Sequence, residues 1–74
     1  MLELVTSYRG CEIHQDTLTQ TFHVFEIGES PKTAEPYAVV NSRVEADMVV
    51  DSLASLYVAV QTDKVFRLLL DELN

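Results

Sequence analysis

An α+β fold is predicted for this chain, in which a small three-stranded antiparallel meander packs against one or two C-terminal helices in the order β-β-β-α(-α). Three observations predict it. Short β-prone runs separated by turn residues fill the first forty positions. Ser42-Arg43-Val44-Glu45 then has the spacing of a helix capping box. Beyond it, apolar residues recur at three- and four-residue steps. The 74 residues make a single domain, 1–74, near the lower size at which a core holds without disulfides or metal.

Residues 2–6 are short and mixed, and Tyr8-Arg9-Gly10 interrupts them. Cys11 and Ile13 alternate with Glu12 and His14 as in a half-buried strand, which makes this the first strand, bent at Gly10. Turn residues at 16–19 lead into a second strand, 20–27, within hairpin distance. A four-residue loop over 16–19 sets Ile13 opposite Phe22 and Glu12 opposite His23. A two-residue loop sets Ile13 opposite Val24 and His14 opposite His23. Both registers put Cys11, Ile13, Phe22 and Val24 on one face, the seat for a helix. The stretch 28–36, GESPKTAEP, holds a glycine and both prolines and reads as an exposed loop. Residues 37–40 are β-prone and complete the meander.

In the capping box, the Ser42 hydroxyl and the Glu45 carboxylate each satisfy a free backbone N–H at the helix start. Ala46, Val49, Val50, Leu53, Leu56, Tyr57 and Val60 then form one wide apolar stripe, with Asp47, Asp51 and Ser55 opposite. Thr62 or Asp63 suits the cap of a second segment, whose stripe is Val65, Phe66, Leu69, Leu70 and Leu73 and whose Arg67 precedes Asp71 by four. The alternative is one kinked helix. LYVAV at 56–60 also fits a fourth strand, but the unbroken helical stripe favours helix.

The stretch TFHVFEIG, 21–28, alternates like a strand yet is apolar on both alternations. Phe22 and Val24 face the helix, which leaves Phe25 and Ile27 on the other face beside Glu12, His14 and His23. One helix covers only one side of a small sheet. The second side is expected to be covered by the C-terminal segment, by a second copy, or by a different protein. A polar-rimmed apolar patch is the usual form of an interface. The expected partner-binding set is therefore Phe25 and Ile27 at the centre, with Glu12, His14, His23, Asp47 and Asp51 around them.

Twelve acidic residues against five basic ones give a net charge of −7, which opposes direct nucleic-acid or anionic-membrane binding. Such a charge serves solubility, or steers the chain toward a partner with a basic surface. The single cysteine, Cys11, excludes an intrachain disulfide and sits mid-strand on the apolar face, where a buried, inert thiol is expected. His14 and His23, with Glu12 near, make an incomplete metal site, and no cofactor is expected. MLELVTSYRG lacks a basic start followed by a long apolar run, so a cytoplasmic setting is expected.

No phosphate-cradling glycine loop and no nucleophile motif is present, and an enzyme is not expected. In size and charge the chain resembles the small acidic proteins that phages and mobile elements encode to block host nucleases, anti-CRISPR proteins and nucleic-acid mimics among them. That resemblance is one of composition and implies an inhibitor that occupies a partner's surface. The function expected is thus a non-catalytic protein-binding module. The alternative is a homo-oligomeric structural or accessory subunit, because so small a domain gains from burial against a second copy.

Overall fold

A computed structural model describes residues 1–73, without the side chains of Asp63, Glu72 and Leu73. Four strands, β1 (Leu2–Tyr8), β2 (Cys11–Asp16), β3 (Phe22–Val24) and β4 (Ala38–Val40), precede one long helix, α1 (Arg43–Leu73). The strands form an antiparallel meander in the order β1-β2-β3-β4. The α+β class and the β-then-α order are as predicted. The strand count is corrected from three to four, and the helix is single and continuous.

The added strand is β1, and two local features hid it. Val5 is unpaired in a bulge where the register shifts between Leu4 and Thr6. A bulge moves the alternation to the other face. Leu2 and Leu4 thus pair on the side of His14, whereas Thr6 and Tyr8 pair with Ile13 and Cys11 on the helix side. The β1–β2 turn is Arg9-Gly10, both at positive φ, the conformation of a tight two-residue hairpin turn. Arginine is an uncommon residue for such a turn, so the sequence reads there as an interruption. Gly10 suits it because φ +83 is a conformation that side-chain-bearing residues rarely adopt.

The β2–β3 register sets Ile13 opposite Val24 and His14 opposite His23, the second of the two expected pairings. The loop is nonetheless four residues long, 17–20, because Asp16 N–H donates to Thr21 O at 2.9 Å and Gln20 N–H to Asp16 O at 2.8 Å. Asp16 Oδ1 accepts from the Leu18 and Thr19 amides, an Asx turn that holds its carboxyl below the usual range.

Cys11, Ile13, Val24, Ala46 and Val50 are fully buried between sheet and helix, with Phe22, Ile27, Val40, Val49 and Leu53 packed around them. The helix starts where predicted. Glu45 N–H donates to Ser42 Oγ at 3.2 Å, and Glu45 Oε2 accepts from the Asn41 N–H, one residue earlier than in the standard box, at 3.0 Å.

The sheet seats only the first turns of the helix. Burial ends at Ala54, and from Ser55 to Asp71 every described side chain is exposed. At 1.5 Å per residue, 31 residues extend about 46 Å. The described chain measures 56 × 24 × 15 Å, with a radius of gyration of 15.5 Å against about 11 Å for a compact chain of this length. The molecule is a small body from which half a helix projects.

Candidate functional site: the projecting helix

The expected patch around Phe25 is not open. Phe25 is 1% exposed, and its ring meets His14 edge-on with centroids 5.3 Å apart. The helix lies on the other side of the sheet, so the cover comes from elsewhere in the chain. Ser30, Pro31 and Lys32 border one groove with Leu2, Leu4, Glu12 and His14, which brings this part of the 28–36 loop beside the far face. This self-cover differs from all three that were expected. The loop holds its shape through its own bonds, among them Ser30 N–H to Thr33 Oγ1 at 2.9 Å and Ala34 N–H to Ser30 O at 3.0 Å.

Ile27 does not share a face with Phe25. Phe25 N–H still donates to Glu12 O at 2.9 Å beyond the end of β3, the chain then turns where Glu29 N–H donates to Glu26 O, and Ile27 packs against the helix-side core. Strand alternation carried too far along the sequence was the source of that expectation. Glu12, His14 and His23 do meet on the far face: His14 Nε2 lies 2.8 Å from Glu12 Oε1, and His14 pairs across the strands with His23. His23 Nε2 lies 3.3 Å from Thr21 Oγ1, while its Nδ1 is buried without a partner. Among the described residues, no three His, Cys, Asp or Glu side chains gather as a metal ion requires.

Asp47 and Asp51 are separated from this group by the sheet. Asp47 pairs with Arg43 one helical turn earlier at 3.1 Å. Asp51 accepts from Arg9 Nη1 and Tyr8 Oη, each at 3.0 Å, and the Arg9 guanidinium holds its carboxyl below the usual range. The same bond raises the Tyr8 hydroxyl. Burial raises the Cys11 thiol, which removes the thiolate that nucleophilic chemistry needs.

The open apolar surface lies on α1 instead. Leu56, Tyr57, Val58, Val60, Val65, Phe66, Leu68, Leu69 and Leu70 are all exposed, Phe66 at 60% and Leu68 at 65%. At about 100 Å² for each half-exposed side chain, they present on the order of 900 Å². Spread around the helix, this sum exceeds the about 300–600 Å² of the largest contiguous apolar patch on a typical monomer. Two shallow grooves mark the surface. One, where the helix leaves the sheet, is bordered by Ile27, Tyr37, Leu53, Leu56, Tyr57 and Val60. The other runs along Gln61, Thr62, Val65, Phe66 and Leu69.

The two halves of the helix do not share one stripe. At 3.6 residues per turn, the centre of Val58, Val65, Phe66 and Leu69 lies about a third of a turn from the centre of Ala46, Val50 and Leu53, which face the sheet, with Val65 and Val50 nearest at about 60°. This shift of phase is what made the sequence resemble two segments. The structure keeps one helix and turns its second apolar face away from the body. No helix among the described residues is long and apolar enough to cross a membrane. No protein-family model, curated protein or solved structure matches the chain.

Proposed function

We propose that this chain is a non-catalytic protein-binding module whose contact surface is the projecting half of α1. The observation that carries this reading is the exposure of nine large apolar side chains between Leu56 and Leu70 on a helix that its own sheet cannot reach. An amphipathic helix offering anchors at three- and four-residue steps is a common recognition element, received by a groove or by another helix. The surface named here replaces the far sheet face, whose apolar centre the chain covers itself. Contact through this helix also differs from nucleic-acid mimicry, which uses carboxylates. Most of those belong to the body, where Asp47 and Asp51 are already engaged with arginines.

A photo-crosslinking amino acid at position 66, with one at position 18 as control, tests the reading in the cells that make the protein. Leu18 is 85% exposed at a hairpin tip and belongs to no proposed contact. A discrete protein adduct from position 66 and none from position 18 is expected. Absence of any adduct from position 66 removes the proposal.

A further inference from the structure

We infer that the occupant of the projecting helix is a second copy of the same chain, held as an antiparallel helix pair along Val58, Thr62, Val65, Phe66 and Leu69. The inference rests on the reading above and names its partner.

Charge supplies the first argument. Residues 58–74 carry two basic side chains against three acidic ones, net −1, whereas residues 1–57 carry three against nine, net −6. A surface shaped for a basic partner would carry a marked net negative charge, and the net charge of this segment is small. A twofold contact sets the same patch against itself, so it must not repel itself. A nearly neutral apolar patch on an otherwise acidic protein meets that condition.

Area supplies the second. The seven large apolar residues from Val58 to Leu70 offer roughly 700 Å² by the same approximation, of which Val58, Val65, Phe66 and Leu69 on the contact stripe supply about 400 Å², and backbone and flanking polar atoms add to it. Each partner in a standard stable interface contributes about 800 Å². One partner helix seated along the groove of Gln61, Thr62, Val65, Phe66 and Leu69 is of the right scale.

Direction follows from the bodies. A parallel pair would set two net −6 bodies side by side. An antiparallel pair crossing between Thr62 and Val65 places them at opposite ends, with the Ala54 positions about 28 Å apart at 1.5 Å rise per residue. It also opposes the two helix dipoles. In that arrangement Val58 of one copy lies beside Leu69 of the other, and Thr62 beside Val65.

Sedimentation equilibrium of the purified chain, followed by oxidation of cysteine variants in a Cys11→Ser background, tests this. A mass of twice 8.3 kDa is expected, falling to a single chain in Phe66→Glu/Leu69→Glu. Val58→Cys mixed with Leu69→Cys is expected to give a covalent dimer, and Val58→Cys alone is not. A wild-type monomer at high micromolar concentration overturns the inference, as does a dimer that the two glutamates leave intact. Preferential Val58-to-Val58 crosslinking overturns the antiparallel arrangement. The position-66 adduct separates the two levels: a mass of two chains supports the inference, a foreign mass overturns it and leaves the binding surface standing, and no adduct removes both.

Discussion

Arg9 Nη1 donates to Asp51 Oδ1 across 3.0 Å, joining the tip of the first hairpin to the third turn of the helix. Tyr8 donates to the same oxygen. The folded Asp51 pKa is depressed, so the contribution of this latch to stability is present above the unfolded carboxyl pKa of about 3.9 and is lost as pH falls through the folded value. Urea unfolding of wild type and Asp51→Asn across the acid range is expected to show a stability gap at neutral pH that closes below about pH 4. A gap independent of pH would mean that the Asp51 charge is immaterial to the latch. The site is exposed, so the gap is expected to be small.

Tyr8 moves the other way. Its folded pKa is raised, so its share of the latch is complete below the unfolded value of about 10 and is lost as pH rises through the folded value. Tyr8→Phe is expected to flatten the alkaline limb of the stability profile and, because the same hydroxyl bond helps depress the Asp51 carboxyl, to shrink the acid limb as well. An unchanged alkaline limb would show that the hydroxyl bond to Asp51 is absent in solution.

Ser42→Ala leaves the Glu45 amide without its side-chain acceptor at the helix start. A loss of about 1 kcal/mol in urea unfolding is expected. Asn41 and Glu45 retain their own bond, so the helix shifts in stability and not in its boundary. A loss below about 0.3 kcal/mol would show that the Ser42 cap contributes little.

Phe25→Ala removes a ring that is 1% exposed and packed against His14. A loss of about 3–5 kcal/mol is expected, at least as large as the about 2–5 kcal/mol for Leu53→Ala on the opposite face. Phe66→Ala, at 60% exposure, is expected to leave the stability of the dissociated chain nearly unchanged. A neutral Phe25→Ala would mean that the far face is open at this ring in solution.

The capping box and the helical periodicity were legible in the sequence because both are local: three residues set the cap, and apolar steps of three and four set the stripe. The inner face of the sheet was equally legible, since either hairpin register leaves Cys11, Ile13 and Val24 together. What escaped depends on events that alternation does not record. The Val5 bulge and the Arg9-Gly10 turn concealed β1, and the turn after Phe25 separated Ile27 from it. The exposed helix was half legible. The phase shift between the Val50 and Phe66 stripes was visible, but it reads equally as a break in the helix or as a change of partner.

The most direct measurement of the central claim, that the projecting helix is held from outside its own chain, is amide hydrogen exchange at low and high protein concentration. Most helical stability in proteins comes from packing of an apolar face, which the projecting half lacks within its own chain, and β-branched Val58, Val60, Thr62 and Val65 weaken this helix further. The account expects protection over 58–70 to rise with concentration while protection over 46–54 stays constant, and Phe66→Glu/Leu69→Glu to abolish the rise. Protection over 58–70 that is high, independent of concentration and unaffected by the two glutamates would contradict the account.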